Sequence, residues 1–289
     1  MDRKERYYMS SVKLGPKGQI VIPKEARDMF GLQPGDTLVL LADKKKGLAL
    51  QGLTKRYPAF TLDHVSFDVP QGAVMGFIGR NGAGKSTTLK SILGMVHPDE
   101  GAVRVFGMDY AANEAAIRRE LGVVLGGIDF YPKKKISVIT DVTRRFYDNW
   151  DDEKYRHYLQ LFALDESKRV DQLSSGMKVK YMIALALSHN AKLLILDEPT
   201  SGLDPVSRDE LTELLGRIVE SGTRSVLFST HITSDLEKCA SHIAFIKDGV
   251  MQYSGAMGDF RAQYRDMGDT LEDIIVKVER RPLDESAII

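Results

Sequence analysis

The residues best suited to chemistry in this 289-residue chain lie in GRNGAGKST, 79–87, which spaces Gly79, Gly84, Lys85 and Ser86 as G-x-x-x-x-G-K-S. That spacing serves phosphate. Glycines at 79, 82 and 84 let the backbone turn so that successive N–H groups converge, and a helix starting at Lys85 adds its positive end. Lys85 is expected to reach the β- and γ-phosphates of a nucleoside triphosphate, and the Ser86 hydroxyl to coordinate Mg²⁺. Asn81 and Thr87 share the same turn and join Gly79, Gly82 and Gly84 as candidate nucleotide contacts. Asp197 and Glu198 follow the apolar run 193–196. At the C-terminal end of a buried strand they meet the phosphate side of a sheet, Asp197 as a Mg²⁺ group and Glu198 to polarise an attacking water. His231 follows a second apolar run, 225–228.

These groups need a parallel sheet to carry them. The short apolar runs 73–78 and 193–196 read as buried strands and 85–93 as a helix, so the body is α/β. Between 132 and 190 the strand–helix alternation gives way to helical pattern, notably 152–162 and 176–189, which defines a helical subdomain. The stretch 270–278, TLEDIIVKV, alternates and is read as a tail contact on the body.

Two further strings narrow the class: LSSGM, 173–177, and LLILDEPTSGLDP, 193–205. Phosphate loop, LSSGM, DEPT, SGLD and a strand-end histidine, in that order, resemble the nucleotide-binding subunit of an ABC transporter over about 48–278. The resemblance implies a P-loop NTPase of the ABC type that uses ATP and Mg²⁺. It places His231 on the γ-phosphate and an aromatic ring, here Tyr57, on adenine. It also implies that Ser174 and Gly176 cap the nucleotide held by an opposite subunit, with 201–204, including Asp204, running across that interface. ATP would then join two ATPase subunits, as a homodimer or a pair, and hydrolysis would release them. The family signature usually reads LSGGQ, so Ser175 and Met177 depart from it, and Gly126 or Gly127 stands where the family carries a Gln. With FYDNWD, 146–151, these departures resemble bacterial exporters of antimicrobial or amphipathic peptides and lipid-active compounds.

The first fifty residues hold ten basic and six acidic side chains, leaving 30 and 34 in the remainder, so a head of about +4 precedes a body of about −4. Alternation at 19–22, a short helix at 24–30 and a strand at 37–41 give a β-rich module too small to bury its own core, and therefore expected to dimerise. GPKGQIVIPKEARDMFGLQPGD within it resembles the AbrB/MazE/SpoVT-like swapped-hairpin regulators. That resemblance implies a dimer that contacts double-stranded DNA, with Lys13, Lys17, Lys24 and Arg27 at the basic positions; a dimerisation module with solvated cations is the alternative. The domains are read as 1–49 and 50–289, with the strand at 48–57 serving both.

Cys239 is the only cysteine, which excludes an internal disulfide framework and fits a reducing cytoplasm; it is read as a packed side chain in the helix after His231. His64, His97, His157, His189 and His242 show no ligand spacing and are read as structural. No apolar run approaches the roughly 20 residues needed to span a bilayer, and MDRKERYYMS lacks a signal-peptide core. The expected protein is therefore a cytoplasmic ATPase, peripheral to the membrane through a separate permease, with a head that controls its own operon. A soluble ABC-type regulator that binds DNA under ATP control is the competing reading.

Overall fold

The computed structural model describes residues 46–125 and 131–280, all within one compact unit. The head elements, the four candidate DNA contacts and Gly126 and Gly127 lie outside the described residues. The strands are β1 (Lys46–Tyr57), β2 (Phe60–Pro70), β3 (Val74–Ile78), β4 (Glu100–Val105), β5 (Met108–Asp109), β6 (Leu121–Leu125), β7 (Leu193–Asp197), β8 (Ser225–Thr230), β9 (His242–Lys247) and β10 (Val250–Ala256). They form one ten-stranded sheet in the order β5-β4-β1-β2-β10-β9-β3-β8-β7-β6. From β9 to β6 neighbouring strands are parallel, whereas β1, β2, β4 and β5 pair antiparallel. Every residue of β3 and β8 is buried, the mark of strands covered on both faces.

Strand alternation divides those side chains between two cores. Leu194, Leu196, Val226 and Phe228 face one core; Leu193, Ile195 and Leu227 face the other. The second core is closed by β1, β2 and β4 over helix α1 (Lys85–Ile92), through Leu48, Leu53, Val65, Val103, Leu89 and Ile92. Helix α2 (Tyr110–Glu120) contributes Ile117 to it. Leu48 and Leu50 are buried in this core, so the strand expected to serve both modules starts at Lys46 as part of the body sheet.

The first core is covered by α3 (Ile136–Thr143), α4 (Asp152–Leu161), α5 (Ser175–Ser188), α6 (Pro205–Val219), α7 (Thr233–Cys239), α8 (Met257–Gln263) and α9 (Leu271–Glu279). Helices α3 to α5 occupy the segment where helical pattern interrupts the sheet. A buried hydroxyl chain ties them together: Tyr181 donates to the Ile136 carbonyl at 3.0 Å, so Thr140 must donate to Tyr181 at 2.9 Å and Tyr155 to Thr140 at 2.7 Å. Burial pushes both tyrosine pKa values far up, which keeps the chain neutral.

The C-terminal stretch differs from the tail contact expected. It is helix α9, opened by a capping box in which Thr270 accepts from Asp273 N–H and Asp273 accepts from Thr270 N–H. Leu271 and Ile274, at i,i+3, enter the core, and Ile275 and Val278 pack against it; the apparent alternation came from Val276, which is exposed on the outer face beside Lys277. Cys239 closes α7 as a packed side chain, its pKa pushed up to about 12 by burial and its thiol donating to the Asp235 carbonyl.

Candidate active site

The phosphate loop joins β3 to α1. Gly82 and Gly84 have φ of +83° and +112°, in the region that favours glycine. A Cβ at Gly84 would also lie 2.9 Å from Leu62 Cδ1 and 3.0 Å from Phe60 Cζ, so the β1–β2 hairpin presses directly on the loop. Gly84 caps α1 without a side-chain acceptor, leaving first-turn N–H groups for an anion.

Lys85, only 6% exposed, donates from Nζ to the Gly79 carbonyl at 2.6 Å and lies 3.7 Å from Glu198 Oε1. Ser86 Oγ donates to Asp197 Oδ2 at 3.3 Å. His231, the first residue after β8, places Nδ1 2.7 Å from Glu198 Oε2. Two strand ends and one helix start thus converge. The cavity between them has a volume of about 680 Å³ and is lined by Arg80, Asn81, Gly82, Gly84, Lys85, Ser86, Thr87, Glu198, Ser201 and His231, with Ala59 and Phe60 on the hairpin side.

Other predicted residues stand elsewhere. Gly79 and Asp197 contact the cavity-lining groups without lining it themselves. Tyr57 ends β1, 41% exposed with Lys55 Nζ 6.0 Å from its ring centroid, outside the cavity lining. Ser174 caps α5 by accepting from Met177 N–H at 3.2 Å, and Asp204 caps α6 by accepting from Val206 and Ser207 N–H at 3.0 Å each. The Ser207 hydroxyl, donating to Asp204 at 2.7 Å, is the main reason the Asp204 pKa sits below its ordinary value. A Cβ at Gly176 would meet Ser207 Oγ at 3.1 Å, so the two helix starts adjoin. Neither lines the phosphate cavity of its own chain.

Sequence reasoning missed Phe60 and Ala59, which no motif marks, and Ser229, which lies two residues before His231. Ser229 Oγ is 2.5 Å from Asp197 Oδ1.

An electropositive helix start, a buried lysine, a serine–aspartate oxygen pair and a glutamate–histidine pair form a site for a nucleoside polyphosphate and its hydrolysis. Residues 62–201 match the ABC transporter family, and residues 11–56 match the family described as antidote-toxin recognition MazE, bacterial antitoxin. The chain is 34% identical over 204 residues to the bacitracin transport ATP-binding protein BcrA of Bacillus licheniformis, covering 68% of this chain and 65% of that protein. It is 34% identical over 212 residues to the Nod factor export ATP-binding protein I of Burkholderia thailandensis, covering 71% and 69%. A solved ATP-binding subunit of an ABC transporter superposes with a TM-score of 0.72 at 28% identity, covering 80% of this chain and 98% of that one.

The chain belongs to the ABC transporter family of ATP-binding proteins, spans about 65% of the length of the bacitracin relative, and carries an N-terminal MazE/AbrB-like domain.

Proposed function

We infer that the protein is the ATP-hydrolysing subunit of an ABC exporter. The observation that carries this is the meeting of Lys85, Ser86, Glu198 and His231 on one cavity behind a left-handed glycine turn, with Asp197 bonded to Ser86 from just outside the lining. The first-turn N–H groups and Lys85 bind the triphosphate, and Lys85 must exchange the Gly79 carbonyl for phosphate oxygen when it does so. Glu198, oriented by His231, takes the proton of the attacking water.

Ser86 Oγ and the Asp197 carboxylate would hold Mg²⁺, and an oxygen-only pair suits that hard cation, which keeps most of its remaining positions for water and phosphate. The ion would neutralise charge developing on the transferred phosphoryl group. Among the described residues no group of three or more His, Cys, Asp or Glu could hold a metal by itself.

Ser174, Gly176 and Asp204 serve a second ATPase subunit, a reading supported by their standing at adjoining helix starts outside the chain's own cavity. Among the described residues no helix is long and apolar enough to cross a membrane. The transport path is assigned to a separate permease on the strength of the ABC transporter family match. The export direction follows the name of the Nod factor relative, and peptide-like cargo follows the departures in LSSGM and FYDNWD. Co-purification from detergent with a polytopic membrane protein, and ATPase activity stimulated by that partner, tests this role; a fully active subunit that retains no membrane partner refutes it.

A second property, double-stranded DNA binding by Lys13, Lys17, Lys24 and Arg27, is proposed from the resemblance of GPKGQIVIPKEARDMFGLQPGD to the swapped-hairpin regulators; residues 11–56 match the MazE family. The match runs to residue 56 and so through most of β1, and the domains are proposed as a head of 1–49 and an ATPase of 50–289. Fluorescence anisotropy of the Glu198→Gln protein with its upstream DNA, with and without ATP at about 0.15 M salt, separates the cases. Sequence-preferring binding supports control of its own operon, and binding no tighter than to random duplex leaves a dimerisation module.

A further inference from the structure

Glu198 has a backbone φ of +48°, a left-handed conformation uncommon outside glycine, immediately after β7 ends at Asp197. Its N–H has two acceptors, both on Ser229: the carbonyl at 3.0 Å and the hydroxyl at 3.1 Å. The same hydroxyl lies 2.5 Å from Asp197 Oδ1. A serine hydroxyl has one hydrogen, an ionised carboxylate can only accept, and a backbone N–H can only donate. The proton therefore goes to Asp197 and a lone pair faces Glu198.

Ser229 is wholly buried on β8, directly across the parallel register from Asp197. The carbonyl bond alone would hold the strands together. What the hydroxyl adds is orientation. With Oδ1 engaged by Ser229, Oδ2 is left to Ser86, and a second anchor on Glu198 N–H fixes the turn from which its carboxylate reaches His231.

We propose that Ser229 is a positioning residue for ATP hydrolysis, one hydroxyl setting both the Asp197 carboxylate and the backbone of Glu198. The proposal rests on the reading of Asp197 as the Mg²⁺ group and Glu198 as the base. Removing the hydroxyl leaves Asp197 Oδ1 without a donor among the described residues and frees the carboxylate to rotate. It affects nothing that binds the triphosphate through the loop, so turnover and magnesium activation respond while ATP binding does not.

The test is MgATP hydrolysis by the full-length protein and by Ser229→Ala, Ser229→Thr, Glu198→Gln and the Ala/Gln double variant. Each is titrated with ATP and with Mg²⁺, and its unfolding midpoint is recorded. For Ser229→Ala, kcat falls about tenfold or more, since displacements near 1 Å cost up to about 10². KM for ATP stays within about twofold, and half-activation needs more Mg²⁺. Ser229→Thr, which keeps the hydroxyl, recovers most of the rate. Added to Glu198→Gln, the alanine change costs less than it does in the parent, because the share that acts through the turn carrying the Glu198 carboxylate is already lost, while the share through Asp197 remains and still raises the Mg²⁺ needed for half-activation.

A folded Ser229→Ala protein with parental kcat and magnesium dependence, beside an inactive Glu198→Gln, overturns the proposal alone. So does a parallel loss of kcat and ATP affinity that threonine does not rescue, which marks a packing role. Should the alanine protein fail to fold, Ser229→Cys carries the test, since its thiol is a poor donor of similar shape, and a parental rate there overturns the proposal. Parental turnover by Glu198→Gln removes the underlying assignment of the base, and the proposal falls with it.

Discussion

Replacing Glu198 by glutamine should abolish most hydrolysis while leaving the nucleotide site assembled. Gln has the same length, and its carbonyl oxygen can still accept from His231 Nδ1, now 2.7 Å from Glu198 Oε2. The left-handed turn is held through the backbone N–H and is indifferent to the change. What disappears is the proton acceptor, worth about 10² to 10⁴ in rate, or roughly 2.7 to 5.5 kcal/mol of barrier.

The stability cost is small by comparison. The Lys85–Glu198 pair spans 3.7 Å, but Glu198 is 24% exposed and Lys85 retains the Gly79 carbonyl, so its net worth is about 1 kcal/mol at most. A carboxylate facing a polyphosphate also repels it, so ATP should bind the variant as well or better, and an ATP-linked dimer should persist. Phosphate release at saturating MgATP, ATP affinity by direct titration, and light scattering with ATP measure the three quantities. Equal turnover in parent and variant refutes Glu198 as the base. A fall in ATP affinity matching the fall in rate shows instead that the substitution disrupted the site.

His189 should make stability pH-dependent. It is 3% exposed, its ring stacks on Tyr147 at 3.7 Å, its Nδ1 has no hydrogen-bond partner among the described residues, and burial lowers its pKa from 6.5 to about 4. As pH falls below 6.5 the unfolded chain takes up the proton first, so stability is full above that value, declines between 6.5 and about 4, and is level below. Between pH 7 and 5 the loss is about 2 kcal/mol. In urea melts, His189→Phe should remove that increment, and an unchanged pH dependence would count against the assignment. Asp204→Ala should cost about 1 to 2 kcal/mol by uncapping α6, whereas Asp204→Asn retains most of the cap; ATP-linked dimerisation should suffer more than the melting midpoint in the alanine protein, and a fall in stability alone would detach Asp204 from the interface.

The phosphate-binding half of the site was legible in the chain because it is built from consecutive residues. A glycine turn and a helix start position their own N–H groups, so GRNGAGKST carried Lys85 and Ser86 into place without reference to distant segments. Asp197 and His231 were legible for a related reason: in a parallel sheet covered on both faces, the polar residue ending an apolar strand emerges at the phosphate edge. The helical segment around α5 announced itself through its period. By contrast, 270–278 offered alternation and helical spacing at once, and packing against α7 and the sheet settled it as helix. Nothing local marked Phe60, which reaches the phosphate loop only because the β1–β2 hairpin folds over α1.

The deepest divide runs through Ser229. By itself the chain determined which chemical groups exist and the local geometry in which contiguous ones act. Only the tertiary structure decided that a serine 32 residues beyond Asp197 would share its hydroxyl between Asp197 and Glu198, and that Ser174 and Asp204 would cap helices off their own chain's cavity. Those choices depend on strand order and register, which are set by burying two cores at once and have no signature in any short stretch of sequence.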